Sequence, residues 1–194
     1  MKRKAVFLDR DGVINRDFGY IGSIERFEFL PDVPWALKTL KDLGYATVVV
    51  TNQSGIARGM YSEADHLAVM DFMQRELAKF GAALSAHYYC PHHPEAQVAA
   101  YRLDCACRKP QPGMLLKAQA DLELDLPHSI MVGDHLSDLR AGAAAQVGNL
   151  VLVGTHLDEA QDRSKLEPSL HHLTCFADLP SWVRALERGD YVPR

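Results

Sequence analysis

The chain places carboxylates, a hydroxyl and a lysine at the ends of four separate apolar segments. The first is Ala5-Val6-Phe7-Leu8-Asp9-Arg10-Asp11-Gly12, an apolar run leading straight into two carboxylates spaced i and i+2. Thr51-Asn52-Gln53-Ser54-Gly55 closes a second run. Arg108-Lys109-Pro110 ends a cysteine-bearing stretch, and Gly133-Asp134, with Asp138 one turn on, ends another apolar run. Paired carboxylates can hold one divalent cation and still leave a nucleophile and a proton donor. Magnesium takes one or two protein carboxylates and completes its shell with water and phosphate oxygens. Thr51 and nearby backbone N–H groups suit phosphoryl oxygens, and Lys109 adds a compact positive charge for a transition state. Together these groups describe a site for magnesium and a phosphoryl group.

Such a site requires the four segments to end at one edge. Short apolar runs closed by Gly or polar signals are expected as buried parallel strands. We place strands at Ala5 to Asp9, Ala46 to Thr51, Ala86 to Cys90, Ser129 to Val132 and Leu150 to Val153. Between them fall helices. One is capped by Asp32, uses Val33, Ala36, Leu37, Leu40 and Leu43, and ends at Gly44. A longer one is capped by Ser62, with Leu67, Met70, Met73 and Leu77 on one face and Gly81 past its end. Others cover Gly113 to Leu124 and the stretch containing Leu136, Leu139 and Ala143, which stops near Gly148. Residues 155 to 174 hold little periodicity, and a last helix spans about Leu179 to Arg188. Strand–helix alternation predicts an α/β fold: a doubly wound, Rossmann-like parallel sheet with helices on both faces. Right-handed crossovers make the order 3-2-1-4-5 natural. The switch point then lies between strands 1 and 4, where open sheets bind ligands. Asp9, Asp11 and Asp134 converge there.

The 194 residues fit a single domain, 1–194, with no insertion large enough for a cap domain. Hydrophobic residues make up 47% and charged residues 24%, as in soluble globular proteins. A net charge of −4 without a basic block argues against nucleic-acid and anionic-membrane surfaces. Neither a signal-peptide core nor a membrane-length apolar run is evident, so we expect a cytoplasmic protein. A monomer is expected, because no sustained exposed apolar stripe stands out.

Cys90-Pro91-His92 and Cys105-Ala106-Cys107 bring three thiols and an imidazole into one loop. Clustered cysteines in a reducing compartment favour metal ligation over disulfides, and this set matches closed tetrahedral zinc sites. His93 competes with His92, and a redox pair of Cys105 and Cys107 is an alternative. A long polar loop needs such a staple. It would fix Arg108 and Lys109, which directly follow Cys107. Cys175 stands apart as an expected core residue.

The order DxDG, TNQSG, RKP, GDxxxD resembles the haloacid dehalogenase-like phosphatases. The resemblance implies an aspartyl-phosphate mechanism, with Asp9 as nucleophile, Asp11 as general acid/base, and Thr51 and Lys109 as the second- and third-motif groups. It implies magnesium held by Asp9, Asp134 and Asp11, the last through its backbone carbonyl. Asp138 fits the second acid of the fourth motif. The stretches FLDRDGVIN, YATVVVTNQSGIARG, YYCPHHP and CACRKPQPGM resemble the bacterial D-glycero-D-manno-heptose 1,7-bisphosphate 7-phosphatases up to about residue 155. That resemblance implies zinc on Cys90, His92, Cys105 and Cys107. It further implies a small-molecule sugar phosphate substrate contacted by Asp17, Phe18, Gly19 and Tyr20, by Asn52, Gln53 and Ser54, and by Arg108 and Lys109. His135 occupies a position where a lysine is expected, and would meet phosphate with a charge that depends on pH. A related branch implies the alternative of histidinol-phosphate hydrolysis, and Arg108 leans toward a bisphosphate.

Overall fold

The computed structural model describes residues 2–154, 156–160 and 162–194; Met1, at the head of the basic start, lies outside them. Six parallel strands form one sheet in the order β3-β2-β1-β4-β5-β6. They are β1 (Ala5–Leu8), β2 (Ala46–Asn52), β3 (Ala86–Cys90), β4 (Ile130–Gly133), β5 (Asn149–Val153) and β6 (Thr174–Phe176). Helices α1 (Val33–Asp42), α2 (Ser54–Ala57), α3 (Glu63–Lys79), α4 (Gly113–Leu122), α5 (Leu136–Ala144) and α6 (Leu179–Arg188) connect or flank them. The sheet order matches the expected 3-2-1-4-5 and carries a sixth strand beyond it.

β1 and β4 are apolar throughout and β2 is largely so, because each is buried on both sides. Successive side chains point to opposite faces. Val6, Leu8, Val49 and Val132 therefore join α1, α3 and α6 in one core. Ala5, Phe7, Val48 and Met131 join α4 and α5 in the other. β1 lies between β2 and β4, with Leu8 level with Val49 and Val132. That register delivers Asp9, Asn52 and Asp134 to the same edge.

Four local expectations are corrected. Asp32 does not cap α1 with its side chain; it sits in the left-handed region at φ 59° and pairs with Arg184 of α6 at 2.6 Å. Leu67 is exposed, and the buried face of α3 runs through His66, Val69, Met70, Met73 and Leu77. Cys175 is exposed on β6. β6 lay within and just past the stretch of weak periodicity, because a three-residue strand at the sheet margin buries too little to show a pattern. Ser62 does cap α3, in a reciprocal box with Asp65.

The last helix seals the first core. Trp182 of α6 is fully buried and meets Tyr191 edge-on, with centroids 6.1 Å apart. We expect Trp182→Ala to cost about 3–5 kcal/mol, read as a lower urea midpoint.

Candidate active site

A cleft of about 390 Å³ opens at the carboxyl edge of the sheet, over the junction of β1 and β4. Asp9 and Asp11 follow β1, Asn52 ends β2, and Asp134 follows β4. The tight turn after β1 needs Gly12, whose φ is 79° and where an added Cβ would lie 2.2 Å from Asp134 Oδ2. Gly133 is equally constrained, because a Cβ there would lie 2.3 Å from Asp138 Cβ.

Lys109 is the centre of the charge arrangement. Its buried ammonium lies 2.9 Å from Asp9 Oδ1 and 2.6 Å from Asp138 Oδ1, and donates to the Val50 carbonyl at 2.7 Å. Burial disfavours this charge, but Asp138 and Asp9 outweigh burial and hold the lysine above its ordinary range. Asn52 clamps the Lys109 backbone from both sides: its amide donates to the Lys109 carbonyl at 3.1 Å, and its oxygen accepts from the Lys109 N–H at 3.0 Å. Asn52 is thereby committed to placing the lysine, although it also lines the cleft.

One ammonium does not neutralise three acids. Burial pushes Asp9 up to about 6 against the pull of Lys109. Burial, then Asp9 and Asp138, push Asp134 up to about 8. Asp9 Oδ1, beyond its ion pair, and Asp134 Oδ1 are buried and accept no hydrogen bond from the described residues. Oxygen atoms of Asp9, Asp134 and Asp138 lie within 4.8 Å of one another. Asp134 Oδ1 has no protein donor, and hard oxygens carrying more negative charge than Lys109 offsets fit a magnesium ion.

Asp11 is gripped from behind. The Arg10 guanidinium reaches both of its oxygens at 2.9 Å, Asn15 donates at 3.0 Å and Gln53 at 3.1 Å. Arg10 is fully buried and also donates to the Ile21 carbonyl at 3.1 Å and meets His66 Nδ1 at 3.4 Å. A guanidinium can only donate, so Nδ1 accepts. Burial and Arg10 push His66 down to about 3, which keeps it neutral. Tyr61 donates to Gln53 Oε1 at 2.6 Å and closes the wall. Our sequence reading missed Arg10, Asn15 and Tyr61. A charged residue inside the tip of a buried strand was the available signal for Arg10; Tyr61 had none.

Asp9, Asp11, Asp17, Gly19, Tyr20, Asn52, Gln53, Ser54, Lys109, Asp134 and His135 all line the cleft. Three expected contacts do not. Thr51 is buried below the floor, where it accepts from Gln53 at 2.9 Å. Phe18 points to solvent, 54% exposed. Arg108 donates to the His92 carbonyl at 3.2 Å and braces the cysteine loop. In that loop the sulfurs of Cys90, Cys105 and Cys107 lie 3.1–3.5 Å apart, and His92 Nδ1 is 3.4 Å from Cys107 Sγ. His93 instead uses Nδ1 to accept from the Glu95 N–H at 3.1 Å.

Comparison with known proteins agrees with this architecture. The HAD-hydrolase-like family model matches residues 106–179. A Photorhabdus laumondii protein named D-glycero-beta-D-manno-heptose-1,7-bisphosphate 7-phosphatase is 46% identical over 187 residues, 95% of this chain and 97% of its own. This chain belongs to that family of haloacid dehalogenase-like phosphatases. A relative of the same name from Escherichia coli K12 is 45% identical, covering 95% of each chain. The crystal structure of D,D-heptose 1,7-bisphosphate phosphatase from B. bronchiseptica, complexed with magnesium and phosphate, superposes with a TM-score of 0.81. It is 34% identical over 96% of this chain and 99% of its own. The described residues at 9–32 and 91–112 hold only two short 3-10 turns, Ile24–Arg26 and Ala99–Tyr101.

The fork between Arg10 and Asp11 generates a specific expectation. Arg10→Lys keeps the charge but removes the two-oxygen grip. We expect kcat to fall on the order of 10- to 100-fold with the fold intact by circular dichroism.

Proposed function

We propose that this chain removes the 7-phosphate of D-glycero-D-manno-heptose 1,7-bisphosphate through a phosphoryl group carried on Asp9. The observation that supports it most is Asp9 itself. Its carboxylate sits at the cleft floor, 2.9 Å from a buried lysine and beside the gripped carboxylate of Asp11. The names of the relatives support the substrate.

In the first half-reaction Asp9 attacks phosphorus in line and the bond from phosphorus to the sugar oxygen breaks. Protonated Asp11 gives its proton to that oxygen. In the second, Asp11 takes a proton from a water that attacks phosphorus, releasing phosphate and restoring Asp9. Lys109 holds Asp9 in place and offsets charge building on the phosphoryl oxygens. Magnesium, held by Asp9, Asp134 and the Asp11 carbonyl, would neutralise the repulsion between Asp9 and the phosphoryl group. Asp17, Gly19 and Tyr20 line the cleft and would contact the sugar, with Arg58 over the Tyr20 ring at 5.9 Å.

We further assign zinc to Cys90, His92, Cys105 and Cys107. Four protein ligands close the shell, so its role is structural. The same loop carries Lys109 two residues past Cys107. The chain is read as one domain over 1–194, acting as a cytoplasmic monomer on a small-molecule sugar phosphate. Both cores share one sheet, and no helix among the described residues is long and apolar enough to cross a membrane.

Phosphate release from both anomers of heptose 1,7-bisphosphate, histidinol phosphate and a 3′-phosphorylated oligonucleotide tests the substrate. We expect the highest kcat/KM on a heptose anomer, dependence on added magnesium, and a loss of roughly 10³-fold or more in Asp9→Asn. A preference for histidinol phosphate would overturn the sugar assignment. Elemental analysis should find about one zinc per chain. Cys107→Ser should lose it and unfold at lower temperature.

A further inference from the structure

Asp134 and His135 line the cleft, and His156 meets them from outside its lining. His135, directly after Asp134, is the N-cap residue of α5, and His156 stands three residues past the end of β5. The two imidazole rings pack with centroids 4.1 Å apart and a tilt of 35°. His135 Nε2 lies 3.7 Å from Asp134 Oδ2. One ligand atom from each of the three residues falls within 4.8 Å of the other two. Asp134 is the deepest member, and its other oxygen, Oδ1, is buried with no hydrogen bond from the described residues. The carboxylate therefore stands between Asp9 and the histidines, where two dications on either side of it would repel one another.

The chemistry of the two directions differs. Asp9, Asp134 and Asp138 offer oxygen only, which suits magnesium. Two imidazoles and one carboxylate suit a borderline ion such as Zn²⁺, Co²⁺ or Ni²⁺, which binds nitrogen far better than magnesium does. Three protein ligands also leave an open position, unlike the four-ligand cysteine set.

We propose that Asp134, His135 and His156 form a second cation site, selective for a transition-metal dication, whose occupation draws Asp134 away from magnesium and stops turnover. The inhibitory half rests on the phosphatase reading above; the binding half does not. The shared carboxylate makes the two cations competitors, so added magnesium relieves the inhibition.

The test titrates zinc-loaded full-length protein with Ni²⁺ by calorimetry, with magnesium present, alongside His156→Ala and His156→Gln. His156 does not line the cleft, so both variants should turn over substrate at the parental rate in magnesium alone. We expect about one Ni²⁺ per chain, bound about tenfold or more weakly in both variants. The Ni²⁺ concentration that halves turnover should rise by the same factor. Equal Ni²⁺ affinity in parent and variants, or no Ni²⁺ bound beyond the cysteine set, overturns the site. Binding that depends on His156 but leaves turnover untouched overturns the inhibition. If no protein hydrolyses the heptose bisphosphate while binding still depends on His156, the phosphatase reading fails and the cation site stands.

Discussion

The structure depends on one buried ammonium. Lys109 lies between Asp9 and Asp138 with its remaining reach spent on the Val50 carbonyl. A buried charge survives only when paired and hydrogen-bonded, and removing one partner of such a group is strongly destabilising. Every element around Lys109 can be read as a solution to that requirement. β2 supplies the Val50 carbonyl and the Asn52 clamp. α5 supplies Asp138 from its first turn, and β1 delivers Asp9. The cysteine loop, which follows β3, brings the lysine itself. A structural cation in that loop would hold fixed a segment that has little apolar burial of its own.

The same arrangement leaves a deficit of positive charge, and the deficit is the functional feature. Asp9, held only by Lys109, and Asp134, whose Oδ1 meets no donor among the described residues, bring oxygens within 4.8 Å of one another. Gly12 and Gly133 bring the strands close enough for this, since a side chain at either position would strike an acid. The scaffold thus stores carboxylates in a geometry that a divalent cation completes. Arg10, Asn15 and Gln53 hold Asp11 apart from that cluster. Two aspartates two residues apart have different partners, which is the basis for the different roles proposed for them.

Much of this was legible in the sequence, for identifiable reasons. The central strands are continuous apolar runs because both faces are covered, and the reactive residues sit immediately after them. Asp9, Asn52 and Asp134 could therefore be assigned to one edge before any coordinates, with Lys109 brought to it by the loop after β3. What escaped detection was decided by tertiary partners. Asp32 had the residue type of a cap but is drawn to Arg184. Asn52 and Arg108 had the types of substrate ligands but brace backbone. Arg10 carried a signal, a charge at the tip of a buried strand, but its grip on both oxygens of Asp11 is visible only in the fold. β6 and Cys175 lie on the sheet margin, where burial imposes no pattern. The pairing of His135 with His156 joins residues from the ends of neighbouring strands and carries no local sequence signature.

The most direct test of the account is to catch the phosphoryl group on the chain. Protein mixed with a limiting amount of heptose 1,7-bisphosphate and magnesium is quenched in acid within the first turnover, digested and examined by mass spectrometry. The account predicts one phosphoryl group on the peptide bearing Asp9, attached to Asp9 and labile to hydroxylamine. Phosphate release at full rate without any adduct, or an adduct on another residue, would contradict it.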